Sequence, residues 1–264
     1  MTEDIKRFSS NLRKYFNYAI YSAKSELKSE VVDSYLNWLW WIIEPLAFTT
    51  IYTFIFSYVF RNQEPYIIPF ILIGITTWDF FNRMISGSVK TIVNNRELVT
   101  KVYIPKYILL LAKSFTYLFK YFISYGLVIL MMIISRTPFN ATIFYFIPIT
   151  FILYLITFGF GCILMHYGVY VQDLTNLTTI VLKFVFYLSG VFYNIRTRLS
   201  GLPQLILLRA NPVAFLMDEF RKVMIGGIAP SFKGLLLWLA VGIVLTIIGV
   251  TMVHKNENSY VKVI

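Results

Sequence analysis

Lys106, Lys113 and Lys120 recur every seven residues inside an apolar run, and Glu44, Asp79, Arg83, His166 and Lys183 lie in or beside other such runs. Residues seven apart share a helical face, so the lysines form one cationic stripe. A charge near the middle of a bilayer costs at least about 3 kcal/mol on insertion scales, so such groups face a partner or a wet cavity. Two arrangements are open. In the first, Lys120 and Lys113 face a passage and counter an anionic headgroup or polymer. In the second, Lys106 and Lys113 reach back to the headgroups while Lys120 pairs with Asp79 or Glu44 of another span. Asp79 and Arg83, four residues apart, can pair along their own helix, and His166 has no partner pattern, which favours a structural role. Bond-making chemistry has no such support. Asp173 is isolated and the histidines, His166 and His254, are far apart, so an enzyme's cluster of carboxylates or histidines is missing. Cys162 is the single cysteine, which excludes an internal disulfide and a Cys/His zinc set. No G-x-x-x-x-G-K-[ST] phosphate loop occurs, so energy for any work must come from another chain.

A second polar feature is "NNRELVTKVYIPKY" at 94–107, a charged, helix-length segment between two long apolar stretches, stopped by Pro105. Such a segment is built to touch something outside the membrane, and Asn95 and Glu97 among its basic residues favour a protein cleft over lipid headgroups.

The elements that position these residues follow from composition. The chain has 264 residues, 58% hydrophobic and 14% charged, too apolar for a soluble domain that must cover its core with polar surface. A net charge of +11 carried by so few charged residues reads as membrane orientation, not as a nucleic-acid footprint. Residues 1–10 hold no apolar run, so no cleavable signal peptide is expected and the N-terminus stays in the cytoplasm. From 11 to 33, Leu12, Phe16, Ile20, Ala23, Leu27 and Val31 recur at helical spacing while Arg13, Lys14, Lys24 and Lys28 occupy other faces, the pattern of a helix lying on the bilayer. Six apolar runs are long enough to span, near 38–60, 66–86, 107–134, 142–170, 176–194 and 234–253. They lack the alternation of a lipid-facing barrel, so the expected fold is an all-α membrane bundle. The expected division is 1–35 for the N-terminus and interfacial helix, 36–254 for the membrane domain, and 255–264 for a cytoplasmic tail.

Orientation is read from the connections. The N-terminal segment carries six Lys or Arg residues and the 83–106 connection carries Arg83, Lys90, Arg96, Lys101 and Lys106, against Arg61 and Arg136 in the first and third connections. Both termini and the 94–105 elbow are therefore expected inside. The fifth connection carries Arg196, Arg198, Arg209, Arg221, Lys222 and Lys233, yet its short apolar runs Leu205–Leu208 and Val213–Met217, broken at Asn211 and Pro212, fit a re-entrant helical hairpin over 202–230 on the outer face.

Four stretches carry a family resemblance: "SYLNWLWWIIEPL" at 34–46, "GITTWDFFNRMISGSVKTIVNNRELVTKVYIP" at 74–105, "QDLTNLTTIVLKFVFYLSGVFYN" at 172–194 and "NPVAFLMDEFRKVMIGG" at 211–227. In their order and spacing the chain resembles the permease subunits of type-2 ABC exporters, in the polysaccharide, O-antigen and teichoic-acid export branch. Gly190 and Gln172 depart from the proline and arginine common at those places. The resemblance implies that Asn95, Arg96, Glu97, Lys101, Tyr103 and Pro105 belong to a coupling helix that docks on a separate ATPase. ATP and Mg would be bound there, and this chain would need no cofactor. It also implies a homodimer with two ATPase chains, and an interfacial helix, with Arg13, Lys24 and Lys28, where a lipid-linked polysaccharide enters from the inner leaflet of a bacterial inner membrane. Six helices are a small wall for a polymer, and a twofold pair would enclose one. Aromatic residues make up 18% of the chain, and the groups Trp38, Trp40, Trp41 and Phe186, Tyr187, Phe192, Tyr193 either form interfacial belts or line the passage for sugars, with Phe192 and Tyr193 the passage candidates. A type-2 permease for drugs or small lipids and an integral-membrane enzyme of lipid-linked sugars are the rival readings.

Overall fold

The computed structural model describes residues 2–32, 35–60 and 64–263, with side chains described outside 2–12 and 37. Arg61 and the Leu12 side chain lie outside the described residues. Among the described residues the fold is helical without strands, the arrangement that satisfies backbone polar groups inside each segment where no water is present. The helices are α1 (Thr2–Val32), α2 (Trp40–Phe54), α3 (Ile67–Val89), α4 (Thr91–Asn94), α5 (Arg96–Lys101), α6 (Lys106–Ile134) and α7 (Phe146–Tyr170). They continue as α8 (Leu174–Leu188), α9 (Ile195–Arg198), α10 (Gly201–Ala210), α11 (Pro212–Met224), α12 (Phe232–Lys255) and α13 (Glu257–Val263).

Among the described residues, four stretches are long and apolar enough to cross a bilayer: Trp40–Val59, Lys106–Ile134, Ala141–Tyr170 and Phe232–Lys255. The first is α2 prolonged by a π-helical turn at Ile55–Val59, and the third is α7 preceded by a 3-10 turn at Ala141–Tyr145. The other two expected spans differ. α3 has 23 residues, but Asp79, Asn82 and Arg83 dilute the apolar character of its second half. α8 has only 15 residues, ending at Leu188 where the expected span runs to 194, because the chain turns through Gly190 at φ +68°, a left-handed conformation glycine accepts without strain.

α3 is the hub. One face joins the main core with α6, α7, α11 and α12, where Tyr121, Tyr125, Phe146 and Phe220 pack ring against ring. The buried phenols are matched, Tyr125 with Thr77 at 2.9 Å and Tyr121 with Thr150 at 3.3 Å, because an unpaired hydroxyl in an apolar interior is costly. Its other face builds a second core of Phe70, Ile71, Phe81 and Ile85 against Leu182, Val191, Phe192, Val213 and Met217. α1 lies along α6 through Ala19 and Ala23, with the Phe16 and Phe115 rings edge to face at 5.7 Å. Its packed face is thus built on small residues rather than on the apolar stripe alone, and Phe16 is half exposed.

Two helices break the fifth connection at Asn211, as the sequence expects: α10 and α11 are joined there, and its side chain accepts the N–H groups of Val213 at 3.0 Å and Ala214 at 3.2 Å, with Pro212 opening α11. The expected C-terminal tail is instead the docked helix α13, in which Tyr260 is fully buried. An apolar-run search overlooks α13 because only one turn of it is buried.

α7 and α12 form the closest helix pair. A Cβ on Gly159 would strike the backbone of Leu245 and Thr246, and one on Gly249 would sit 2.5 Å from the Gly159 carbonyl oxygen. Small residues that let backbones approach are how helices bind each other in lipid, where the hydrophobic effect offers no drive. Gly159→Leu and Gly249→Leu are expected to cost about 2 kcal/mol or more through overpacking, whereas Gly126→Leu, which meets open space, is expected to be neutral. Thermal unfolding of the detergent-solubilised chain by size-exclusion chromatography checks the contrast.

Candidate functional site

The elbow between α3 and α6 is made of α4, α5 and the extended segment Val102–Pro105. Asn95 separates the short helices, and its side-chain amide donates to the Thr91 carbonyl at 2.7 Å. Val99 and Ile104 turn inward, at 4% and 6% exposure, while Arg96, Glu97, Thr100, Lys101, Val102 and Tyr103 stand in solvent. The elbow is therefore a polar ridge held by two apolar pegs. Glu97 and Lys101 pair along α5 at 3.4 Å, an exposed contact of small energetic weight. The helix stops at Lys101, before the expected Pro105, and Pro105 is buried as the cap residue at the start of α6. The Tyr15 hydroxyl of α1 donates to the Tyr103 carbonyl at 3.3 Å, so α1 and the elbow share one end of the bundle. Arg13, Lys24 and Lys28 are exposed along α1.

A cavity of about 230 Å³ opens between α2, α3, α6 and α8. Trp41, Tyr52, Trp78 and Phe186 supply rings, and Glu44, Asp79, Asn82, Arg83, Lys120 and Ser124 supply polar groups. α2 forms its movable-looking wall: Pro45 removes one helical hydrogen bond, Thr49 donates to the Pro45 carbonyl at 2.7 Å, and Thr49 alone is buried among the α2 residues. The charges are matched. Arg83 binds Asp79 at 2.7 Å and Glu44 at 3.4 Å. Lys120 pairs with Glu30 of α1 and lies 5.7 Å from the Trp41 ring centre. Its partner is thus neither Asp79 nor Glu44, which serve Arg83, and the carboxylate comes from a helix placed outside the spans. Thr76, also lining the cavity, is 3% exposed, and its hydroxyl has no hydrogen-bond partner among the described residues.

Of the four residues the sequence nominates for a passage, Lys120 lines this cavity. Lys113 instead donates to the Gly87 carbonyl at 3.2 Å. Phe192 is 7% exposed and packs against Tyr52, Phe56 and Phe186 at ring distances of 4.1, 5.0 and 5.3 Å, closing the second core. The Tyr193 hydroxyl donates to the Tyr187 carbonyl at 2.9 Å. Lys183 is exposed on α8.

At the opposite end, Arg221 of α11 holds the turn that carries Phe192. Its guanidinium donates to the carbonyls of Phe70 at 3.2 Å, Gly190 at 2.8 Å and Val191 at 2.6 Å, and it stacks 3.6 Å from the Phe70 ring centre. Nearby, Arg196 and Lys222 share Asp218 at 2.9 and 3.1 Å, and the hydrogen bond that Arg196 donates to Asp218 raises its guanidinium above the ordinary value.

The model of the ABC-2 type transporter family matches residues 20–225, a stretch that includes the elbow, the cavity and helices α10 and α11. The chain belongs to that family. As an ABC-2 permease it is a multi-pass membrane protein that works with an ABC ATPase. It is similar along nearly its whole length to O-antigen export system permease proteins RfbA: one from Klebsiella pneumoniae is 22% identical over 257 residues, covering 96% of this chain and 97% of the relative. A second from Klebsiella pneumoniae is 21% identical over the same span, and one from Myxococcus xanthus is 25% identical over 241 residues, covering 90% of this chain and 92% of the relative.

Sequence reasoning overlooked Glu30, Glu26, Glu257 and Tyr260. Glu26, which accepts the Thr116 hydroxyl at 2.9 Å, and Glu30 are four apart on α1, a signal that a second, acidic face points at the permease's own spans. Arg221→Met would leave the Phe70, Gly190 and Val191 carbonyls without their donor. In a Cys162→Ser background, a cysteine at Phe192 is expected to label several-fold faster in Arg221→Met than in Arg221; equal rates would mean packing alone holds the turn.

Proposed function

We propose that this chain is the permease subunit that exports an O-antigen-like polysaccharide across a bacterial cytoplasmic membrane, driven by a separate ATPase that docks on the elbow 94–105. The observation that carries the reading is the elbow itself, a solvent-exposed polar ridge pegged to the core by Val99 and Ile104 in a chain of the ABC-2 family. The likeness of the whole chain to O-antigen export permeases names the cargo class. Two permease chains and two ATPases form the working unit, since one chain's helices make too small a wall for a polymer. α3 and α8 complete six spans with the four long apolar stretches, which puts both termini on the elbow's side. Contacts of α1 and α13 with the elbow region support that placement. The elbow then lies inside, as the excess of Lys and Arg at that end requires.

The cavity is the sugar contact in this reading. Flat rings give sugar faces apolar contact, and Asp79, Glu44 and Asn82 can accept or donate to hydroxyls without a metal or cofactor. Its charge balance favours uncharged sugars: Arg83 and Lys120 are already matched by Asp79, Glu44 and Glu30, so no surplus cation is present to hold a polyanion such as a teichoic acid. ATP and Mg belong to the partner ATPase, whose closure moves the elbow and tilts α3 and α6, with α2 as the least packed wall of the cavity. The exposed basic residues Arg13, Lys24 and Lys28 of α1 face anionic headgroups at the place where a lipid-linked glycan enters.

Two experiments test this. Charge reversal of the ridge, Arg96→Glu with Glu97→Lys, is expected to abolish co-purification of the ATPase while membrane level stays the same; an ATPase that remains bound sinks the docking reading. Thr76→Val removes an unpartnered buried hydroxyl at constant volume, so melting temperature is expected to stay or rise, while export of glycan falls several-fold. Unaltered export would remove the cavity from the route.

A further inference from the structure

α6 starts directly after Pro105, so its first N–H groups have no partner within the helix. One is satisfied from far away in the sequence: Glu257 Oε1, on α13, accepts the Lys106 N–H at 3.1 Å. The Lys106 ammonium reaches back and donates to the Val99 carbonyl at 3.3 Å, tying the start of α6 to the buried side of α5. Lys106 and Glu257 are 4% and 6% exposed, so these contacts are shielded from water and a carboxylate at a helix N-terminus gains from the helix dipole. The same turn of α13 is fastened a second time. Tyr260, fully buried, shares a hydrogen bond of 2.8 Å with His166 Nδ1 on α7, and burial pushes its phenol above its ordinary value, so it remains uncharged. Two residues beyond His166, Gly168 has no room for a Cβ against the Val89 carbonyl that ends α3.

We infer that α13 is a brace that joins both ends of the elbow to α7 and makes them one lever, with Glu257 as the positioning residue acting through Lys106. This rests on the elbow being the segment that the ATPase moves. Force delivered to α5 reaches α6 only if the link between them is stiffer than the helices it must tilt. Val102–Pro105 is extended backbone with no internal ladder, and without Glu257 and Lys106 it would absorb the stroke. Coupling is therefore built by the last helix of the chain, although that helix has no apolar run and no charge pattern of a docking surface.

The test uses the full-length permease with its ATPase in proteoliposomes and reads three quantities: ATPase retained, ATP hydrolysed and glycan exported. Glu257→Ala is expected to keep the ATPase bound and hydrolysis within about twofold, while glycan exported per ATP falls roughly tenfold, the scale of losing one buried charged hydrogen bond. Glu257→Gln, whose amide oxygen still accepts the Lys106 N–H, is expected to retain more than about half of the export per ATP. Should Glu257→Ala fail to fold, Tyr260→Phe keeps the buried ring, loses the His166 hydrogen bond and is expected to lower export per ATP in the same direction. Unchanged export per ATP in both Glu257→Ala and Tyr260→Phe overturns the brace, and so does loss of export that only follows loss of bound ATPase. Failure of the docking reading looks different: the ridge reversal leaves the ATPase bound whatever Glu257 does.

Discussion

Water is missing from the hydrocarbon core of a bilayer, and the placement of almost every polar group in this fold answers that single fact. Backbone groups close within helices, the buried phenols of Tyr121 and Tyr125 pair with threonines, and the Arg221 guanidinium donates to the Phe70 carbonyl and to two carbonyls of the turn after α8. Where the backbone leaves helical geometry, at the elbow and at the turn after α8, side chains supply the missing partners: Lys106 and Glu257 at one end, Arg221 and Asn211 at the other. The exceptions are informative for the same reason. Thr76, a buried hydroxyl with no partner among the described residues, faces the cavity that combines rings with charges.

The same constraint separates the work of the two ends. The elbow shows a ridge of charge and hides two apolar pegs, Val99 and Ile104, that fix it to the bundle. The opposite end is laced by short-range ion pairs and backbone caps that hold Phe192 over the second core. Between them, α3 touches both cores, so a tilt of α3 alters the cavity and the Phe192 packing together. The dilution of α3 by Asp79, Asn82 and Arg83 makes it a poor span by composition. Those residues are also what gives the cavity its polar wall, so weakness as a membrane segment and use as a site have one cause.

Much of this was legible in the chain. Long apolar runs without alternation admit only a helical bundle, and each expected span lies over a helix, because hydrogen bonding within the segment is the one solution for such runs in lipid. The elbow was legible because its charge is surrounded by apolar sequence, and the α10–α11 break because the apolar runs are interrupted at Asn211 and Pro212. Asp79 and Arg83 pair as their spacing of four predicts. Pairing between distant segments was another matter: Lys120 had two reasonable carboxylates in neighbouring spans and takes a third, Glu30, from α1.

Sequence by itself determined the class, the order of the apolar helices and the position of the charged elbow, since these depend on periodicity, hydropathy and local stereochemistry that act within a few residues. Only the tertiary structure decided which charges meet, that Pro105 is hidden, that Phe192 closes a core, and that the last residues form a brace locked to Lys106 and His166. Those outcomes depend on contacts between residues scores of positions apart, whose energy exists only once the helices are packed side by side.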